Sequence, residues 1–119
     1  MSCIFSVSAL YENCAVPFLQ QWRTARKVNR CDECLRPILS GQRYEFVSGK
    51  WDDGWASYRT CEDCVEIRTA FTDGSWEYGR LWENLTEGFD ELTTGCFAQL
   101  TTSSAKQLLQ ERWSSWKGL

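Results

Sequence analysis

Cys31-Asp32-Glu33-Cys34 and Cys61-Glu62-Asp63-Cys64 stand twenty-six residues apart, and their reading decides the fold. Two Cys-x-x-Cys pairs at this spacing form the pattern of a four-thiolate zinc site. Each pair turns tightly enough to aim two sulfurs at one point, and zinc accepts the resulting tetrahedron. Four thiolates leave no position open for water or substrate, so a site of this kind is structural. Two alternatives compete. Redox Cys-x-x-Cys motifs belong beside a strand-helix-strand pattern, and neither pair has one. Two structural disulfides would need an oxidising compartment.

The intervening residues read as a hairpin. Tyr44, Phe46 and Val47 favour a strand, and Asp53-Gly54 is a two-residue turn signal. The turn would pair Arg43–Trp51 with Trp55–Thr60, Trp51 opposite Ala56 and Phe46 opposite Cys61, so that Phe46 covers the metal. Pro37 and Gly41 supply turn chemistry after the first pair. Behind the second pair, 65–71 reads as a helix with Glu62 and Asp63 in its first turn, where the helix dipole favours acids. Knuckle, hairpin and helix make a small α+β, treble-clef-like module over 31–72. Residues 1–30 form an N-terminal strand and basic lead-in, and 73–119 a helical part packed on the module, within one globular domain.

Outward from the module, 3–11 alternates like a half-buried strand, and Phe18–Trp22 reads as a short helix or packed loop. Arg23, Arg26, Lys27 and Arg30 place four cations in eight residues ahead of Cys31. They are either a phosphate-contacting run beside the metal or a solvated segment. In 76–94, Tyr78, Leu81, Trp82, Leu85, Phe89 and Leu92 fall on one face of a single amphipathic helix. Glu77, Glu83, Glu87, Asp90 and Glu91 would then be a solvated face or a surface for a basic partner. Gly79 and Gly88 weaken this helix or admit a close neighbour. Ser104–Gln107 matches a capping box. Ala105, Leu108, Leu109, Trp113 and Trp116 make an apolar stripe that docks on the core or pairs two copies through 104–116. Of the seven tryptophans, Trp51 and Trp55 are the candidates for an exposed contact.

Charge is unevenly distributed: residues 1–60 carry +2 and 61–119 carry −5, together the net −3. Met1–Val7 has neither a basic n-region nor a long apolar run, which argues against a signal peptide or membrane span. A reducing cytoplasm fits the odd count of seven cysteines, with Cys3, Cys14 and Cys96 as small buried hydrophobes. The chain has no histidine. Ser-His-Asp triads, zincin helices and Cys–His nucleophiles therefore cannot be built, and neither Cys pair follows a proline as zinc deaminases require. No enzyme is expected.

Several stretches together carry a resemblance: Arg26–Cys34, Arg36-Pro37-Ile38 with Gly41 and Tyr44, Val47–Asp52, Thr60–Cys64 and Tyr78–Glu83. Across about residues 23–92 the chain resembles a widespread group of small phage and prophage proteins with paired Cys-x-x-Cys motifs. The resemblance implies a phage origin and a zinc site. By analogy with phage accessory proteins it also implies a binding protein that inhibits or redirects a host protein complex, a nucleic-acid-binding one included, as anti-CRISPR and other anti-defence factors do. Nucleic acid bound by the basic run and nearby aromatics is the alternative. One departure is visible: Leu35 stands where the group often has Gly after the second Cys, so the knuckle turn there needs another way to relieve strain.

Overall fold

The computed structural model describes residues 16–51, 54–72 and 78–118. The expected strand over 3–11 lies outside them. The order is β1 (Val16–Thr24), β2 (Asn29–Arg30), β3 (Pro37–Ile38), β4 (Arg43–Trp51), β5 (Gly54–Cys61), α1 (Glu62–Phe71), α2 (Leu81–Thr86), two 3-10 turns (Phe89–Glu91 and Thr94–Gln99) and α3 (Ser103–Lys117). The α+β expectation holds. β1, β4 and β5 form an antiparallel sheet in that order, and β2 and β3 close the knuckle as a two-stranded ladder around the first Cys pair.

β1 corrects the reading of Phe18–Trp22 as helix or loop. Its residues pair along β4, Trp22 with Glu45 and Arg23 with Tyr44, so an edge strand flanks the expected hairpin. The hairpin register also differs by two. Trp51 pairs with Gly54, Gly49 with Ala56, and Tyr44 rather than Phe46 faces Cys61. Gly54 thus belongs to the ladder, and the rest of the expected turn lies outside the described residues. A slip of two leaves every side chain on its expected face, because strand periodicity is two.

α1 packs on the face that carries Glu45, Val47 and Thr60, all buried. α3 lies against α1, burying Ala105, Leu108, Leu109 and Trp113. Most of the expected apolar stripe is therefore taken up within the chain, and Trp116 stays half-exposed with its ring edge-on to Phe89. The capping box is not used. Thr102 is the N-cap and makes no side-chain cap bond. Glu66 of α1 caps α3 instead, accepting from the backbone N–H groups of Thr101 and Thr102 and from the Thr102 hydroxyl. Burial pushes the Glu66 carboxyl up, but these donors more than offset it and its pKa falls below the usual range.

The expected single helix over 76–94 is broken: α2 ends at Thr86, and a 3-10 turn begins at Phe89. Its apolar residues Leu81, Trp82, Leu85, Phe89 and Leu92 are nonetheless buried. The break falls at Gly88, where glycine's backbone entropy cost is greatest. Gly79 does admit a close neighbour: at φ +84° a Cβ there would lie 3.0 Å from a Tyr58 ring carbon. Tyr58 stacks on Tyr78 with ring centroids 5.8 Å apart.

Leu35 adopts φ +66°, the only non-glycine positive φ among the described residues. This left-handed backbone lets the Leu35 N–H reach the Cys31 carbonyl at 3.0 Å and close the knuckle. A β-carbon costs about 1–2 kcal/mol in that region, and the exposed Leu35 side chain gains little in return. Leu35→Gly is therefore expected to stabilise the fold by about 0.5–1 kcal/mol, once glycine's unfolded-state entropy of roughly 0.4–1 kcal/mol is deducted. A rise in the denaturant midpoint checks this; a fall would show that the leucine side chain contributes contacts of its own.

Candidate metal centre

The knuckle supplies Cys31 and Cys34. The end of β5 supplies Cys61, and the first turn of α1 supplies Cys64. Their sulfurs all lie within 4.8 Å of one another, with Cys31–Cys64 at 3.9 Å and Cys34–Cys61 at 3.8 Å. A tetrahedral ion with metal–sulfur bonds of about 2.3 Å places its sulfurs about 3.8 Å apart. The four are unbridged thiols, and Cys31, Cys34 and Cys64 are buried. The arrangement fits a metal ion held by all four. Hydrogen bonding with Cys31 pushes the Cys34 thiol down and the Cys61 and Cys64 thiols up; a metal bound by all four would displace the remaining protons.

A shell of donors surrounds the sulfurs. The backbone N–H groups of Glu33 and Cys61 point at Cys31 Sγ, each at 3.4 Å. The Trp82 indole N–H donates to Cys64 Sγ at 3.4 Å. Such donors offset thiolate charge and hold the ligands in place. Burial opposes the Arg36 charge, but Cys34, Cys61 and Asp63 together raise its pKa, and it bonds Asp63 at 2.9 Å.

Three further contacts tie the C-terminal half to this centre. Glu33, between the two knuckle cysteines, accepts from the N–H groups of Gly79 and Leu81 at 3.0 and 3.1 Å. Burial pushes its carboxyl up to about 6, against those two N–H groups. Arg112 of α3 donates to the Cys34 carbonyl at 2.6 Å, and its guanidinium lies 5.1 Å from the Trp82 ring centroid. Glu33→Ala is expected to cost roughly 1–3 kcal/mol, because it strands the buried Leu81 N–H. Glu33→Gln keeps one acceptor oxygen and should cost less. Thermal unfolding of both variants at equal metal content checks the order; equal midpoints for wild type and Glu33→Ala would contradict it.

The remaining sites predicted from sequence scatter. Trp55 is 66% exposed on β5; the Trp51 side chain and Glu77 lie outside the described residues. Glu83 is exposed and paired with Arg80 at 2.8 Å. Glu87, Asp90 and Glu91 are exposed, but the break after α2 means they do not continue its acidic face. Arg23, Arg26 and Lys27 gather at one cleft, whereas Arg30 is exposed on β2 and does not line it. Cys96 is buried, as expected. No helix among the described residues is long and apolar enough to cross a membrane.

Sequence reasoning missed the Glu33, Trp82 and Arg112 contacts, each of which spans at least eighteen residues. It also missed the pair inside the sheet–helix interface. Arg68 of α1 makes a two-pronged bond to Glu45 of β4, at 2.9 and 2.8 Å, with side chains only 4% and 6% exposed. Comparison with protein-family models, curated proteins and solved structures finds no match.

Proposed function

We propose that this protein is a non-enzymatic, zinc-stabilised binding protein of phage type that acts in the host cytoplasm by engaging a host protein complex. The observation that carries the reading is the four-sulfur cluster. Zinc suits four thiolates in a tetrahedron, and with all four bound no coordination position is left for a substrate. The nucleophile–base pairs that rely on histidine cannot be built from this chain, which has none.

The proposed zinc has a scaffold role. It joins knuckle, strand and helix, and its surrounding hydrogen bonds reach α2 and α3. What supports a protein partner is a set of exposed apolar and acidic side chains, spread over more than one face: Trp22, Trp55 and Trp116 are each more than two-fifths exposed, and Glu87, Asp90 and Glu91 stand in solvent. Exposed tryptophans are the residues that most often anchor interfaces. Inhibition of a defence complex is the role suggested by analogy with phage accessory proteins. The four unbridged thiols support a reducing host cytoplasm.

The test is a pull-down from host lysate with tagged protein, treated with nuclease and read by mass spectrometry. A stoichiometric protein partner that survives nuclease is the expected result. Recovery of nucleic acid alone, lost on nuclease treatment, would overturn the protein-partner reading.

A further inference from the structure

The three-stranded sheet has two unlike faces. Glu45, Val47 and Thr60 point to α1 and are buried. Directly opposed residues share a face, so Gln21, Phe46 and Arg59 lie together on the other side, and Lys50 and Trp55 lie further along it. The Arg23 guanidinium sits 3.8 Å from the Phe46 ring centroid, and that of Arg59 sits 5.7 Å from it. Beside this stack is a cleft of about 660 Å³ lined by Arg23, Arg26, Lys27 and Arg59, with Asn29 among its remaining neighbours and no carboxylate.

The charge there is uncompensated. Arg36, Arg68 and Arg80 each hold a carboxylate at 2.8–2.9 Å. None of the four cleft cations has a carboxylate partner among the described residues. Asp32, the acid that touches β5, is engaged by the Arg59 backbone N–H at 2.7 Å. Arg59 Nε is buried with no hydrogen-bond partner. Four cations without a carboxylate partner in one concavity, Arg23 donating only to the neutral Gln21 amide oxygen among the described residues, are unexpected in a chain of net charge −3 unless an anion is their counterpart.

We infer that this sheet face and cleft bind single-stranded nucleic acid, the cleft taking backbone phosphates and the Arg23–Phe46–Arg59 stack taking a base. A guanidinium plane held flat by a ring is a surface on which a base stacks, and open sheet faces with aromatics receive unpaired bases in this way. Trp55 lies about 13 Å along β5 from Arg59, four residues at the strand rise, and offers a second aromatic surface on the same face. Duplex bases, already stacked on each other, cannot use these surfaces. Arg59 is supplied by β5, far from the basic run in sequence, so the run alone does not define the site.

The inference rests on reading the chain as a binding protein, yet its test is separate. Fluorescence anisotropy of labelled twenty-nucleotide dT and U oligomers would be titrated with the metal-loaded chain at several salt concentrations. Binding is expected with a log–log salt slope of about −3, from four neutralised phosphates at roughly −0.7 each. Arg23→Ala with Arg59→Ala should weaken binding at least tenfold and reduce the slope by about 1.4. Arg26→Gln with Lys27→Gln, at two exposed positions, should flatten the slope similarly while leaving metal content and thermal midpoint unchanged. This second variant keeps the test decisive if the first fails to fold. No binding at about 50 mM salt, unchanged affinity in the Arg26/Lys27 variant, or tighter binding to the matching duplex would overturn the inference. If the oligomers fail to bind while a protein partner survives nuclease in the pull-down, this inference falls and the proposed function stands.

Discussion

Replacing Cys31 and Cys61 together by serine is expected to unfold the described domain at room temperature and abolish stoichiometric zinc binding. Structural zinc in small fingers is worth roughly 10–16 kcal/mol of apparent binding free energy, nearly all of it coupled to folding. A domain of this size has about 5–15 kcal/mol of net stability. The loss should reach beyond the knuckle, because Cys64 Sγ receives the Trp82 indole, Glu33 holds Gly79 and Leu81, and Arg112 holds the Cys34 carbonyl. Far-UV circular dichroism should therefore lose the α1 and α3 signals in one transition when a strong chelator is added to the wild type. Loss of the knuckle alone, with α3 intact, would show that the C-terminal half folds without the metal. Cys3→Ser should leave zinc bound.

The second large effect is expected at the sheet–helix interface. Glu45→Ala removes one half of the Glu45–Arg68 pair and leaves a guanidinium enclosed between β4 and α1, where the pair is almost wholly buried. Breaking a buried pair in this way typically costs about 3–5 kcal/mol. Replacing both residues, Glu45→Leu with Arg68→Met, should restore most of that loss, since two apolar side chains carry no desolvation penalty. Urea unfolding of the two variants separates these outcomes. A double variant no more stable than Glu45→Ala would mean that the pair's geometry, beyond its charge balance, holds α1 on the sheet. Gln20 also donates to Glu45 at 3.3 Å, so part of the cost comes from that lost bond.

The Cys pairs made the four-sulfur cluster legible in the sequence because ligand spacing is local: each pair brings two sulfurs together whatever the rest of the chain does. The β4–β5 hairpin and α1 were legible for the same reason, in alternation, turn residues and first-turn acids. The hairpin register was not. Asp53-Gly54 competed with a ladder that runs on to the Trp51–Gly54 pair, and a slip of two changes no side chain's face. β1 was hidden because Pro17 and the mixed run Phe18–Trp22 show no clean alternation; pairing with β4 makes the strand. The segment after Tyr78 showed a continuous helical stripe, and the stripe correctly marked what is buried. The path breaks at Gly88 because those apolar residues reach the core through a short helix and two 3-10 turns.

The burial of Glu45 was illegible for a deeper reason. A single glutamate in an alternating strand reads as solvent-facing, and only the position of α1 turns that face inward and brings Arg68 to it. The basic run was visible, but its cleft was half hidden. Arg23, Arg26 and Lys27 are neighbours in sequence, whereas Arg59 joins them through β5 and Arg30 turns out not to line the cleft. Spacing along one element can be read directly; a site assembled from three strands needs the register first.

Zinc-edge X-ray absorption on the purified chain, with metal content measured on the same sample, tests the central claim most directly. One zinc per chain with four sulfurs at about 2.3 Å and no nitrogen or oxygen neighbour is the expected result. An oxygen ligand at about 2.0–2.2 Å beside fewer than four sulfurs would mean an open coordination position, contradicting a purely structural centre and bringing metal-assisted catalysis back into consideration.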